Sequence, residues 1–201
     1  TLTTKTIVNG PGNADYVLGN GGTFVATTKD TDILPSGIEH VYIGINGMTV
    51  DSDVDVTISK AFEQWSPEEG VSETGPLYKT GTGKLTLTVA ESTSAFAPMS
   101  VGGNRTATVV SFPESGVVPV AAYYSVHVIE GELAFKGLAD DVVVTMPNSF
   151  AVGLNTLDGT VAPKLTLDHV AVAASGCMVD NAGYMTKDGS FCQKTFVALK
   201  N

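Results

Sequence analysis

Between Val50 and Ser59 the chain reads V-D-S-D-V-D-V-T-I-S, with Val50, Ser52, Val54, Val56 and Ile58 on one alternation and Asp51, Asp53, Asp55, Thr57 and Ser59 on the other. Strand side chains point to opposite faces in turn, so the spacing predicts a half-buried strand whose outer face is acidic. Neighbouring like charges on one face repel. Such a row adds nothing to stability, so it is a metal site, a solvated face, or a surface that works by being negative.

A length of 201 residues fits one domain with a sizeable core. Glycine is abundant at 22, charged residues amount to only 16%, and Thr and Val recur, which predicts a β-rich chain. No apolar run is long enough for a membrane-spanning helix. The opening T-L-T-T-K-T lacks a basic segment followed by an apolar one, so no secretory signal is read there, although one removed earlier would leave no trace. Cys177 and Cys192 are too few for a disulfide framework and are either two reduced thiols or one bridge closing a C-terminal loop.

The net charge is −10, and the acidic excess lies almost wholly before residue 76. Adhesion to nucleic acid or anionic lipid requires clustered Lys and Arg, which this chain lacks. A surface that DNA passes without sticking remains compatible with that charge.

Turn formers punctuate residues 1–22, predicting an arm that ends at the Gly19–Gly22 cluster. Strands are expected at Thr23–Thr28 and His40–Ile45, followed by the acidic strand to about Phe62. Residues 63–83 have no periodicity and form a long loop, of the kind that is usually functional. Lys84–Ala90 alternates again and is expected to return antiparallel to the acidic strand, making a long hairpin with a large tip. Glu91–Val101 is the short-helix candidate, weakened by Pro98. Further strands are expected at Thr106–Phe112, Val120–Phe135 with a turn or bulge at Glu130-Gly131, Val142–Met146, Lys164–Ala173, Tyr184–Thr186 and Phe191–Leu199. Asp188-Gly189 marks a hairpin within a C-terminal segment over 174–201. No internal repeat is evident.

Catalytic chemistry is hard to assemble from these residues. His40, His127 and His169 are not spaced for a shared metal, and Asp168 and His169 would diverge if both lay on a strand. All three histidines are read as structural. Gly81-Thr82-Gly83-Lys84 lacks the following Ser or Thr and the helix of a phosphate loop. Asp51, Asp53 and Asp55 could open a calcium loop, but Val56 and Phe62 occupy the positions that need Gly and an acid. No enzyme activity, cofactor or metal is expected. Trp65, the only tryptophan, sits in the long loop beside Pro67, with Pro76 and Tyr78 beyond it. It is either core or a contact to a partner.

The segments I-G-I-N-G-M-T-V-D-S-D-V-D-V-T-I-S, S-E-T-G-P-L-Y-K-T-G-T-G and K-L-T-L-T-V-A-E-S-T, in that order, resemble the major tail tube protein of tailed bacteriophages. In that family a strand enters a long loop, returns as V-x-L-x-E-x-T and passes into a helix, here Leu87 to Thr93. The resemblance implies a single domain over 1–201: a β-sandwich with a long hairpin loop and one short flanking helix, joined between subunits by an inter-subunit sheet. It further implies stacked homo-hexameric rings forming a tail tube in the virion, assembled in the bacterial host cytoplasm. Asp51, Asp53 and Asp55 would line an acidic channel for genome ejection that DNA passes without specific binding. Trp65, Pro67, Pro76 and Tyr78 would make inter-subunit or inter-ring contacts. Implied partners are other copies and further tail proteins such as the tape measure and tail completion proteins. The alternatives are a capsid decoration protein and a fimbrial or adhesion subunit.

Overall fold

The computed structural model describes residues 1–8, 16–65, 75–90, 107–110, 120–140, 142–146, 149–152, 163–174, 179–180, 184–185, 191–192 and 198–200. After β1 (Leu2–Thr4), a first coil runs through β2 (Tyr16–Gly19), β3 (Gly22–Ala26) and β4 (Thr31–Leu34). The second coil is β5 (His40–Ile43), β6 (Met48–Ser52) and β7 (Val56–Ile58), and the third is β8 (Glu63–Gln64), β9 (Leu77–Thr80) and β10 (Lys84–Val89). Following β11 (Ala107–Val110), a fourth coil comprises β12 (Val120–Val128), β13 (Glu132–Gly137) and β14 (Val142–Met146). The fifth is β15 (Ser149–Val152), β16 (Lys164–Asp168) and β17 (Val170–Ala174). The chain continues through β18 (Val179–Asp180), β19 (Tyr184–Met185), β20 (Phe191–Cys192) and β21 (Ala198–Lys200).

Equivalent strands of successive coils stack. The first sheet has the order β1-β3-β6-β9-β12-β15-β18, the second β4-β7-β10-β13-β16-β21, and the third β2-β5-β8. β14 and β17 pair at the place in the coil that the third sheet occupies earlier. Every pairing along these sheets is parallel. One turn of chain thus adds one rung to each wall, which is the architecture of a parallel β-helix. Phe24 and Val50 from the first sheet, Ile33 and Ile58 from the second, and Val41 and Ile43 from the third belong to one buried cluster, so the three walls enclose a common core.

This overturns the expected β-sandwich. The proposed hairpin is absent: β10 lies parallel to β7, with Leu85 opposite Val56 and Leu87 opposite Ile58. Inside-outside alternation is shared by a hairpin arm and a solenoid rung, so it could not distinguish them. The chain between β7 and β10 completes a turn of the solenoid, and β8 and β9 lie within the segment expected to be a structureless loop. The N-terminal arm likewise contributes β1 and β2 to the sheets. Among the described residues there is no helix; the expected helix over 91–101 falls outside them. At the C-terminal segment, β19 and β20 do pair antiparallel, with Tyr184 opposite Cys192.

The corners are where sequence controls the stack. Gly131 (φ 71°) joins β12 to β13, and a Cβ there would strike the carbonyl oxygens of Gly81 and Gly83 in the coil below. Only glycine combines that positive φ with so close an approach. At the corner between the third and first sheets, the Asn20 Oδ1 accepts from both the backbone N–H and the Nδ2 of Asn46, each at 3.0 Å. Strand Asp168 and Val170 are separated by His169, whose φ of 53° ends β16. That break also corrects the expectation that Asp168 and His169 diverge: the His169 Nδ1 and Asp168 Oδ1 lie 2.9 Å apart.

Candidate functional site

Asp51, Asp53 and Asp55 do not share one strand. β6 ends at Ser52 and β7 begins at Val56, so the acidic row straddles a corner of the solenoid. The expected alternation is kept along β6 and β7, where Val50, Ser52, Val56 and Ile58 are buried, but lapses at the corner, where Val54 is half-buried like Asp51 and Asp55 and only Asp53 is exposed. Two of the three carboxylates bond to the corner of the next coil. Asp53 Oδ1 accepts from the backbone N–H of Thr82 at 3.0 Å and from its hydroxyl at 3.2 Å, and Asp55 Oδ1 accepts from the N–H of Lys84 at 3.0 Å. These bonds satisfy backbone donors that the turn would otherwise leave to water.

Beneath this corner lies a residue that alternation alone had not flagged. Lys79 is 0% exposed and points into the core, in a column where Val50 and Val128 are its register neighbours. Its ammonium donates to the carbonyls of Gly81 at 2.7 Å, Ser52 at 3.4 Å and Thr80. Three donors meet three acceptors, which is how a buried charge becomes tolerable. Burial pushes its pKa down to about 8, against the pull of the carboxylates Asp51, Glu130, Asp53 and Asp55. The acidic corner is thus built over an internal cation. The K-x-G spacing of Lys79 and Gly81 was the available signal, since such a lysine can fold back on the turn that follows it.

The four residues expected to make contacts are dispersed. Trp65 lies just after β8, and its ring meets Tyr42 edge-on at 5.4 Å between centroids with an interplanar angle of 64°. Tyr78 lies instead on the first sheet and packs against the His127 ring at 4.9 Å. Pro76 is buried at a corner, where its carbonyl accepts from the Met48 N–H at 3.0 Å. Pro67 lies outside the described residues, as does Cys177.

The outer face of the third sheet gathers the richest exposed chemistry. Alternation along β2 and β5 turns Val17, Val41 and Ile43 inward, which sends Tyr16, Leu18, His40 and Tyr42 outward. Tyr16 is 63% exposed and Leu18 37%. The His40 and Tyr42 rings stack at 5.5 Å and 16°, and Trp65 closes one side. Two carboxylates flank the histidine: Glu63 Oε2 is 2.8 Å from Nδ1 and Glu39 Oε1 is 3.7 Å from Nε2. Lys60 reaches over from the preceding turn, donating to the Glu39 carbonyl at 2.6 Å and lying 3.4 Å from Glu63 Oε1. The Tyr42 phenol is pushed above its ordinary pKa by desolvation, then by the negative charges of Glu63 and Glu39. The face is therefore aromatic and electronegative.

Among the described residues no group of three or more His, Cys, Asp or Glu side chains is arranged to hold a metal ion. No protein-family model matches the chain, and neither a curated protein nor a solved structure does.

Proposed function

We propose that the chain is a non-enzymatic structural module of a surface appendage, a rigid solenoid rod that carries an adhesive face. The observation that carries this reading is the first sheet, whose seven successive parallel rungs extend the molecule along one axis. At about 4.8 Å per rung, such a stack spans roughly 30 Å while presenting flat, regular side walls. A stack of this kind suits display along its length, and the aromatic face of the third sheet supplies a surface to adhere with. The tail-tube expectation drew on an assembly hairpin and on channel-facing aspartates. With β7 and β10 parallel, and Asp53 and Asp55 bonded to the next coil, the architecture lends its support to the adhesion alternative.

Fluorescently labelled chain added to a panel of intact bacterial and eukaryotic cells tests this. Saturable retention on at least one surface is expected, and no retention on any would overturn the reading. Negative-stain electron microscopy provides the second arm. Short discrete rods are expected, whereas long tubes with a central hole would replace adhesion with tube formation.

A further inference from the structure

We infer that the open edge of β2 accepts an extended apolar β-strand from a partner polypeptide, laid parallel to β2 as an added rung of the third sheet. This edge is distinct from the adhesive face, so the two are tested separately. β2 is the terminal strand of its sheet and pairs, among the described residues, with β5 alone. Along a parallel strand, successive residues turn their main-chain groups to opposite neighbours. The Gly19 carbonyl accepts from the Gly44 N–H at 2.7 Å, so Gly19 and Val17 face β5. Tyr16 and Leu18 therefore aim their N–H and C=O groups at the open side, where no described residue bonds to them. Both residues are exposed, Tyr16 at 63% and Leu18 at 37%.

The surroundings make this edge a notch one rung deep. β1 lies on β3 in the first sheet. In the second sheet, the Ile7 N–H donates to the Ile33 carbonyl of β4 at 3.0 Å, and the Thr6 hydroxyl to the Asp32 carbonyl at 2.7 Å. Two walls thus carry a further rung beyond the first coil, and among the described residues the third wall does not. A second copy meeting this end with its own would bring β1 against these segments, holding the two β2 edges apart. A single strand fits between them. Val17 and Ile7 are only half-buried against the core here, so an inward apolar side chain on the added strand completes their packing. Unpaired edges of this kind are templates for strand addition, in which main-chain bonds supply affinity and alternate side chains supply choice. β2 reads Tyr-Val-Leu-Gly and carries no charge, so the fitting segment has Val or Ile at its inward positions and needs no countercharge.

The protein's own third sheet supplies the probe, since β5 already pairs with β2 from the other side. A fluorescent peptide copying residues 38–45, I-E-H-V-Y-I-G-I, is titrated with the purified chain and followed by anisotropy. Saturable binding is expected. Placed like a rung, the peptide turns the nitrogens of its Val41 and Ile43 towards β2 and those of its His40 and Tyr42 away. N-methylation of the first pair should weaken binding at least tenfold, and N-methylation of the second pair should leave it unchanged. In the protein, Leu18→Pro removes an edge-facing N–H while sparing the bonds to β5, as proline is tolerated on an open edge. With its fold checked by circular dichroism, that variant should bind about tenfold more weakly. No binding, equal binding of the two methylated peptides, or a folded Leu18→Pro variant that binds like the parent would each overturn the strand assignment. Self-association of the chain alone that Leu18→Pro abolishes would replace the partner strand with a second copy.

Discussion

The backbone N–H of Thr82 donates to the Asp53 carboxylate at 3.0 Å, tying the corner of one coil to the corner of the next. The same carboxylate oxygen also accepts from the Thr82 hydroxyl. Replacing Asp53 with Ala removes both bonds and should cost about 1–2 kcal/mol, read as a lower urea midpoint at unchanged slope. An unchanged midpoint would mean that the carboxylate contributes nothing to the stack.

Lys79 gives stability an alkaline limb. Its pKa is lowered to about 8 in the fold from 10.5. Between those values the unfolded chain holds a proton that the folded chain has released, so stability rises as pH climbs from about 8 towards 10.5. Thermal midpoints measured across that range should rise for the parent protein. The rise attributable to this group should vanish in Lys79→Met, which should also be destabilised by about 2 kcal/mol at pH 7 because the corner carbonyls lose their cation.

His127 acts at the acid end. It is 2% exposed although it lies on the outward side of the first sheet, and burial lowers its pKa to about 4. The unfolded chain takes up a proton at about pH 6.5 that the folded chain refuses until about pH 4, so stability falls as pH drops through that window. The loss from this group is about 3 kcal/mol when complete. His127→Gln should flatten that part of the profile in chemical denaturation; an unchanged acid slope would assign the lability to other groups.

Gly131→Ala puts a Cβ onto the Gly81 and Gly83 carbonyl oxygens and demands a φ of 71° from an L side chain. A loss of about 2–4 kcal/mol is expected, with the thermal midpoint as readout. Gly22→Ala is the control, since its Cβ would meet nothing within 4 Å.

The sequence made individual rungs legible and concealed their arrangement. Val142–Met146 and the strand starting at Lys84 lie where alternation and β propensity place them, and the Glu130-Gly131 turn is the corner between β12 and β13. The repeat was present but irregular. Lys84-Leu85-Thr86-Leu87 recurs as Lys164-Leu165-Thr166-Leu167, two rungs apart in the second sheet, with Leu133 between Leu85 and Leu165 in register. Successive register partners Val56, Leu85, Leu133 and Leu165 lie at unequal steps along the chain, because coils absorb segments of different length between rungs. A fixed period therefore does not appear, and a parallel neighbour cannot be told from an antiparallel one by alternation.

The candidate site was half visible. Trp65 stood out as the only tryptophan, but its partner Tyr42 lies in the coil before it, and no local pattern joins them. His40 and Glu63 meet for the same reason, through pairing of β5 with β8. By contrast, the aspartate row drew notice for its charge, while its bonds to Thr82 and Lys84 depend on a coil that the sequence did not reveal.

Parallel rungs also set how such a rod would answer a pull. Hydrogen bonds between rungs run along the solenoid axis, and each coil holds chiefly to the coils on either side. Tension at one end therefore loads the terminal coil first. Coils would peel away singly, each releasing slack before the next is strained, so an attachment made through this fold yields by increments while the remaining coils keep their shape.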